Sequence, residues 1–488
     1  MSKKFYISIF IFLLAGLIFS AIPSLAQTES TLPSPGLTPD SPFYFLERFF
    51  EGIGTFFTFG DVAKAERYAR LASERIAEAK AVMDKGKPEV AEKALTRYQE
   101  YLEKSLAKTE EAQAKGKSVA EVTEIVSQAT IKHLTVLEEV LEKVPQPAKS
   151  AILQAREASK TGQIKALEAL SKEKPERAVK LNIQAIQNRL GKIKSEAREG
   201  DEQGVERAMT DFAVFQTLLE KKGKENKVVL ASLVAEAMTS QIEDLDEIEN
   251  EVENFSPQTI ERVKTIKAST INGQIDVLRS LAEVNPKKAA EIFDLVAEKR
   301  LNKAKQEVED EDAEEAEEAI KEFEKYAAFG QEISKIAQDI GKDATTVEQL
   351  VARATAHHLE VLNDIYNKVP EPAKEAIQKA MIVSETGRQQ AVEALKKKDA
   401  LENISETVPL PRKVKEKVFE EREIPKPGGP KKEEAGKPEV ETPKVEEPET
   451  ENPEVEEIEK PEAGEVEKPE AEKPEVEIPE ISPGPPAR

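Results

Sequence analysis

The segment 142–152, EKVPQPAKSAI, is nearly identical to the segment 367–377, NKVPEPAKEAI. Each copy contains two prolines. Because a proline lacks an amide hydrogen and restricts the residue before it, the pattern predicts a corner between two helices. The recurrence of this corner far along the chain indicates that a larger structural unit is repeated.

The repeat extends well beyond this corner. A numbering offset of 225 aligns the surrounding regions without a gap and matches His133 with His358. A third copy lies between them, because an offset of 114 matches Arg75 with Arg189 and an offset of 111 aligns the later half of the unit. The sequence therefore predicts three copies of one module. Positions that keep the same residue in all three copies include Arg75, Arg189 and Arg300, and Gly162, Gly273 and Gly387.

The composition predicts an all-α protein. Cysteine and tryptophan are absent, aromatic residues make up 5% of the chain, and 34% of its 488 residues are charged. Such a mixture is typical of long helices, and the length exceeds that of one ordinary core. Apolar residues recur at helical spacing and indicate four or five helices per module, with Gly162 at the end or at a kink of the fourth helix. In the second helix of the first module these apolar residues are Val90, Ala94, Leu95, Tyr98, Tyr101 and Leu102.

The chain divides into segments of distinct character. Pro175 and Pro286 are predicted helix starts that leave almost no linker between modules, so we expect the modules to stack in an elongated array of helical bundles. In chain order, we predict a signal peptide (1–26), a linker (27–40), an aromatic amphipathic segment (41–60), helical modules 1 to 3 (61–174, 175–285 and 286–400) and a disordered acidic tail rich in proline, glutamate and lysine (401–488).

The start of the chain has the pattern of an export signal. Lys3 and Lys4 precede an apolar run at 5–22, and Ser24 and Ala26 supply the small residues of a cleavage site. The alternative is an uncleaved membrane anchor, since the run is about as long as the shortest spanning helices. Both interpretations predict an extracytoplasmic protein, secreted or associated with the cell envelope.

Residues 41–60 hold seven of the 18 phenylalanines. One interpretation is that these rings cover the apolar end of the first module, and we favour it because Glu47 and Arg48 provide no basic face for anionic lipid. The other is peripheral docking on a membrane or on a partner protein. The candidate docking residues are Phe43, Phe45, Leu46, Phe49, Phe50, Phe56 and Phe57.

Charge and composition exclude several kinds of partner and cofactor. The formal net charge is −23, of which residues 421–488 contribute −12 through 22 glutamates against 10 lysines and arginines. No basic patch is present, which excludes nucleic acid as an expected partner. The segment AKGKS at 114–118 lacks the earlier glycine of a phosphate-binding loop, so no nucleotide is expected. We predict no cofactor.

Residues capable of chemistry are few. Of the three histidines, His133 and His358 are equivalent in the repeat, and both are weak candidates for metal ligands. Di-metal helical bundles use a Glu-x-x-His pair, which is missing here, so we predict structural histidines at the edge of the core. The acidic run at 307–325 is interpreted as a solvated helix face. Aromatic pairs three residues apart are interpreted as core, with a repeated ligand groove as the alternative. These pairs are Tyr98 with Tyr101, Phe212 with Phe215, and Phe323 with Tyr326.

The stretch LTPDSPFYFLERFFEGIGTFFTFGD, followed by GKPEVAEKALTRYQEYLEK, resembles a prokaryotic family of exported helical proteins known only as a domain of unknown function. The resemblance covers about residues 35–160 and extends more faintly to the third module. It implies export and a helical domain, and it transfers no catalytic residue.

Together these observations predict an exported, non-enzymatic helical scaffold or interaction protein with an unknown protein or cell-envelope partner. The alternative is an extracytoplasmic metal-dependent binding protein or hydrolase with a site between helices at His133 and His358. We predict no catalytic residue.

Overall fold

The computed structural model describes residues 32–369, 371–401, 404 and 408–423. All of them belong to one of the two parts into which the chain divides, Met1–Pro425, and the other part, Lys426–Arg488, lies outside the described residues. The described chain is all-α, as the sequence predicts, and contains fourteen helices and no strand. The helices are α1 (Tyr44–Phe56), α2 (Asp61–Asp84), α3 (Pro88–Ala114), α4 (Ala120–Lys143), α5 (Gln146–Glu173), α6 (Pro175–Glu199), α7 (Glu202–Glu225), α8 (Ala231–Glu251), α9 (Pro257–Ala282), α10 (Pro286–Glu309), α11 (Ala313–Asp339), α12 (Ala344–Tyr366), α13 (Glu371–Lys397) and α14 (Arg412–Glu423).

Short-range chemistry places the helix ends. At the first corner, Pro145 is extended (φ −67°, ψ 156°) and separates α4 from α5. At the end of α6, Gly200 adopts a left-handed conformation (φ 76°) that favours glycine. Proline occupies the first position of α3, α6, α9 and α10, where no amide hydrogen is needed. Side-chain caps that accept hydrogen bonds from first-turn amides begin α7, α9, α10 and α11, and these are Asp201, Ser256, Asn285 and Asp312.

The helix bounds repeat with the offsets found in the sequence. Helices α2 and α3 recur as α10 and α11, whose bounds all differ from theirs by the same offset of 225. Helices α5, α9 and α13 begin at Gln146, Pro257 and Glu371, and these starts follow the offsets of 111 and 225. Each module therefore contains four helices, α2–α5, α6–α9 and α10–α13.

Contacts between helices follow one scheme in every module. The first helix packs on the second, the third on the fourth, the second on the fourth, and the first on the third. The fourth helix of one module packs on the first helix of the next, so α5 contacts α6 and α9 contacts α10. One apolar core runs from Leu134 and Leu167 in module 1 through modules 2 and 3 to Val418, and a second fills the rest of module 1. Burying apolar helix faces thus stabilises both the modules and their connections.

The repeated glycine of the fourth helix is a packing residue. Gly162 lies inside α5, so the prediction that it ends that helix is wrong. A Cβ atom at Gly162 would lie 2.9 Å from Cδ2 of Leu102 on α3, and one at Gly387 would lie 2.9 Å from Cγ of Gln331 on α11. The second and fourth helices approach too closely for a larger residue at this position.

We expect Gly162→Leu to lower the free energy of unfolding by about 1–3 kcal/mol, because the added side chain must displace Leu102. Gly191 is the matched control, since it also lies within a helix but its Cβ would meet no atom within 4 Å. Gly191→Leu should raise stability by up to about 1 kcal/mol through helix propensity. Urea denaturation followed by circular dichroism measures both. Equal effects at the two glycines would contradict the packing explanation.

The predicted start of the disordered tail at residue 401 is wrong. Leu401, Ile404, Val408 and Leu410 pack against the core, and α14 follows them. Val414 and Val418, one helical turn apart on α14, are buried. Helix α14 contacts α13, the fourth helix of module 3. In modules 1 and 2, the fourth helix contacts the next module instead. Two valines at helical spacing thus keep a highly charged segment on the folded domain.

The described helices include none that is both long enough and apolar enough to cross a membrane. The predicted signal peptide at 1–26, with its apolar run at 5–22, lies outside the described residues, as does the tail beyond 423.

Candidate functional site

The most exposed apolar feature of the described chain lies on α1 and the turn that follows it. The seven phenylalanines between Phe43 and Phe59 are 60–78% exposed, and Leu46 and Ile53 are 40% and 39% exposed. We call this set the aromatic surface. Its members are Phe43, Phe45, Leu46, Phe49, Phe50, Ile53, Phe56, Phe57 and Phe59.

The interpretation that the rings cover the end of module 1 is wrong. Of the large apolar and aromatic side chains of α1, only that of Tyr44 is buried. Instead, the rings contact one another edge to face, Phe49 with Phe50 at 5.8 Å and Phe56 with Phe57 at 5.2 Å between centroids. The seven candidate docking residues are thus together on one exposed surface, which they share with Ile53 and Phe59.

Polar side chains hold α1 on module 1. The Tyr44 hydroxyl donates a hydrogen bond to Glu78 on α2 (2.8 Å) and accepts one from Arg97 on α3 (3.1 Å). Arg48 donates to the Tyr101 hydroxyl on α3 (2.6 Å) and pairs with Glu51. Because these groups point toward the module, the apolar side chains of α1 point away from it.

At the centre of this contact lies a buried arginine. Arg75 is 0% exposed, and its guanidinium lies 2.7 Å from Glu51 of α1 and 2.5 Å from Glu78 of its own helix. Breaking a buried ion pair leaves an uncompensated charge, so Arg75 and Glu51 fix the position of α1. Arg67 adds hydrogen bonds from α2 to the Thr55 hydroxyl (2.8 Å) and the Glu51 carbonyl (3.0 Å).

Glu78 should make this region sensitive to pH. Burial raises the pKa of Glu78 from 4.5 to about 7, although Arg75 and the Tyr44 hydrogen bond act to lower it. Because the folded state keeps the proton to higher pH than the unfolded state, the contribution of Glu78 to stability is present below about pH 4.5 and is lost as the pH rises to about 7.

We therefore expect Glu78→Gln to become more stable relative to the wild type, by about 2 kcal/mol, between pH 5 and pH 7.5. Glutamine keeps the size of the side chain and removes its titration. The measurement is the urea midpoint of both proteins across this range. Glu100→Gln, at a site 57% exposed, is the control and should show no such trend. A pH-independent difference for Glu78→Gln would contradict the raised pKa.

The two candidate metal-binding histidines lie in separate aromatic environments. His133 is buried, its Nε2 lies 3.0 Å from the Ser73 hydroxyl, and its ring meets Tyr98 edge to face at 5.2 Å. Burial lowers the pKa of His133 to about 3, which keeps the imidazole neutral.

His358, the repeat equivalent of His133, has no exposed surface and meets the rings of Phe293 (6.1 Å) and Phe323 (5.3 Å). Its Nε2 lies 3.5 Å from Asp294. The structure brings the two histidines neither to each other nor to a shared group of carboxylates.

Among the described residues, one group of three carboxylates lies close enough to hold a cation: Glu249, Glu315 and Glu318. The Lys264 ammonium lies 2.9–3.2 Å from all three, so this position already has its cation. The interpretation of the run 307–325 as a solvated face is therefore wrong for these glutamates of α11, and also for Glu322, which is 5% exposed.

The aromatic pairs of the second helices belong to the core. Five of the six side chains are at most 1% exposed, which supports core packing rather than a repeated ligand groove. The exception is Tyr101, which is half-buried and receives the hydrogen bond from Arg48 of α1. The buried members are Tyr98, Phe212, Phe215, Phe323 and Tyr326.

A buried charge cluster lies at each junction between modules. At the first junction, Arg189 of α6 pairs with Glu138 of α4, and Arg156 of α5 contacts both Glu138 (2.8 Å) and Asp211 of α7 (2.9 Å). All four side chains are at most 9% exposed. We call this the first junction cluster; it draws on the last two helices of module 1 and the first two of module 2.

The second junction cluster occupies the equivalent positions at the offset of 111: Arg300, Glu249, Lys267 and Glu322. Lys267 pairs with Glu249 and lies 3.2 Å from Glu322, while Arg300 lies 3.1 Å from Glu322 and 2.8 Å from Asp246. The two junctions thus place charges of the same sign at the same positions of the module, although two of the four residue types differ.

In the first and third modules, some positions equivalent to those of the junction clusters have other partners or carry no charge. Arg75, the first-module equivalent of Arg189, pairs with Glu51 of α1. The third-module equivalents of Glu138 and Arg156 are Asn363 and Met381, which carry no charge. These two charges are therefore present at both junctions between modules and absent from module 3, which α14 follows. The sequence analysis identified the repeated arginine but not its acidic partners. Those partners could have been found, because Glu138 and Glu249, like Asp211 and Glu322, are separated by the same offset of 111 as Arg189 and Arg300.

Comparisons with known proteins agree with this architecture. Residues 36–147 match the family model described as "Domain of unknown function (DUF5667)", which confirms the resemblance predicted for this segment. No curated protein matches the chain.

The similar solved structures share only 10–14% sequence identity with this chain. One, described as a "circular tandem repeat protein with novel repeat topology and enhanced subunit contact surfaces", has a TM-score of 0.50 and 14% identity, and the alignment covers 74% of this chain and 78% of that one. It supports a repeat-like helical fold and nothing further. A second structure, from the "computational design of self-assembling cyclic protein homooligomers", has a TM-score of 0.23 and 14% identity, and the alignment covers 64% of this chain and 99% of that one. A third, the nuclear import adaptor Nro1, has a TM-score of 0.21 and 10% identity, with 77% and 99% covered. Both are too dissimilar to indicate a shared arrangement of helices.

Proposed function

We propose that the chain is an exported, non-enzymatic helical scaffold or interaction protein, either secreted or associated with the cell envelope. The observation that carries this proposal is the pair of junction clusters, because buried charges between modules serve to hold the modules in one arrangement. The histidines and carboxylates considered above are engaged in packing or in ion pairs. A fixed series of helical modules is suited to presenting a surface to partners.

Export is tested by fractionating native cells and identifying the amino-terminal peptide by mass spectrometry. We expect the protein outside the cytoplasm, with a terminal peptide that begins at Gln27 after cleavage or an intact apolar run after anchoring. Recovery of the protein in the cytoplasm would overturn the proposal. Cross-linking in intact cells then identifies envelope partners.

The non-enzymatic part of the proposal is tested by metal analysis of the purified protein and of His133→Ala and His358→Ala. We expect no stoichiometric metal in any of them and a lower unfolding temperature for both variants, since each removes a buried ring from an aromatic cluster. Stoichiometric metal that disappears in the variants would favour a metal-dependent site instead.

A further inference from the structure

We propose that the aromatic surface docks the protein on a lipid bilayer by lying in the headgroup region. This inference rests on the proposed export and deepens it by naming a partner. With seven phenylalanines 60–78% exposed, the apolar area is roughly 900 Å², above the 300–600 Å² typical of the largest patch on a monomer. Such an area in water indicates that something apolar covers it.

The polar groups of this segment distinguish a bilayer from a protein partner. Between Phe43 and Phe59 there are six polar side chains, and each already has a partner within this chain. A protein interface of this size would make about one hydrogen bond per 100–200 Å². The hydrocarbon boundary of a bilayer demands none. The six side chains are Tyr44, Glu47, Arg48, Glu51, Thr55 and Thr58.

The backbone of this segment is also suited to a bilayer. Backbone polar groups that enter a bilayer must form their hydrogen bonds within the protein, because no water is available there. Beyond its first turn, α1 pairs its amides with carbonyls of the same helix. In the turn after it, the amide of Phe57 donates to the Ile53 carbonyl (3.1 Å) and that of Thr58 to the Thr55 carbonyl (3.2 Å). The aromatic surface can therefore lose water without leaving these groups unpaired.

The charges of α1 face the protein and not the aromatic surface. Glu47 accepts a hydrogen bond from the Leu37 amide, and Arg48 and Glu51 belong to the contact with module 1. Docking therefore relies on apolar insertion and not on attraction to anionic lipid. This predicts binding that is similar on neutral and anionic vesicles and that changes little with salt.

The position of the surface in the chain also favours the bilayer. The apolar run at 5–22 is the predicted signal or anchor, and the connection from its end to Phe43 is short. At about 3.3 Å per extended residue, that connection spans at most roughly 70 Å. Helix α1, with 13 residues, is about 20 Å long and too short to span a membrane, so it lies along the surface.

The chain contains no tryptophan, so Phe49→Trp in the full chain introduces a single tryptophan, on the aromatic surface. We expect its emission to shift to shorter wavelength on addition of phosphatidylcholine vesicles and to be quenched by lipids brominated on their acyl chains. Val228→Trp is the matched control, because Val228 is 78% exposed but lies in module 2, and its emission should not change.

A second measurement is flotation of the predicted mature chain, 27–488, with the same vesicles. Replacing Phe49, Phe50, Phe56 and Phe57 together by serine should reduce the bound fraction by at least about tenfold, while a Val228→Ser, Val229→Ser variant should float like the wild type. All four side chains are exposed, so the serine variant should unfold at the wild-type temperature.

Three results would overturn the proposal. Unchanged tryptophan emission of the Phe49→Trp variant with neutral and anionic vesicles alike would exclude insertion. A blue shift without vesicles that grows with protein concentration would assign the surface to a second copy of the chain. A blue shift without vesicles in the full chain alone, absent from 27–488, would assign it to the amino-terminal segment. None of these results bears on export, which cell fractionation decides separately.

Discussion

Replacing Arg189 by alanine should lower the free energy of unfolding by about 3–5 kcal/mol, because it removes one of the two arginines that neutralise the buried carboxylate of Glu138. The same substitution should weaken the connection between modules 1 and 2. In an array where each unit is stabilised by its neighbours, we expect urea denaturation to change from one transition to two.

Arg198 of the same helix provides the matched control. It pairs with Glu251 at 2.9 Å but is 60% exposed, so Arg198→Ala should cost at most about 1 kcal/mol. Replacing Arg189 and Glu138 together by leucine should recover much of the stability lost in Arg189→Ala, since apolar substitutes for a buried pair are often neutral. If Arg189→Ala behaves like Arg198→Ala, the first junction cluster does not stabilise the junction.

The second junction should respond about as strongly to the loss of Lys267. Its ammonium lies within 3.6 Å of four carboxylates, Asp246, Glu249, Glu318 and Glu322. Burial acts to lower the pKa of Lys267, but the neighbouring acids outweigh it and hold the pKa well above its usual value. Lys267→Met should therefore cost about 3–5 kcal/mol at pH 7, and more than Arg156→Met at the equivalent position.

This effect should depend on pH with a definite sign. Burial acts to raise the pKa of Glu318, but Lys267 and Lys264 together bring it below the usual value. A lowered pKa contributes stability above about pH 4.5 that is lost as the pH falls. The difference between the wild type and Lys267→Met should thus be largest at pH 7 and smaller at about pH 4. An equal difference at both pH values in urea denaturation would mean that packing, not charge, explains the loss.

Much of the fold could be predicted because its signals are local. The spacing of apolar residues and the prolines at 145, 175 and 286 depend only on nearby chain, and they predicted helices where the structure has them. The same reasoning failed at Gly162, where the glycine serves a contact with Leu102 on a different helix. It also failed at α14, because composition averaged over the tail hid the two valines that bury against the core.

The candidate site was predicted in part. The aromatic residues of 41–60 were identified, but their direction was predicted wrongly. The sequence analysis considered only the charges of Glu47 and Arg48 and overlooked Glu51. Glu51 pairs with Arg75 of α2, and this ion pair sets the rotation of α1. The acids of α11 were assigned to solvent for a similar reason, since nothing local reveals that Lys264 and Lys267 approach them.

By itself, the sequence determined that this chain is all-α, that its module occurs three times and where most helices begin, because periodicity and backbone restriction act within a few residues. The tertiary structure alone decided which acid meets which base at each junction and that the rings of α1 face outward. Those outcomes depend on how helices that are distant in sequence are rotated about their axes relative to one another. A buried charge favours the rotation that places its partner on the facing helix opposite it, because the unpaired charge would be costly.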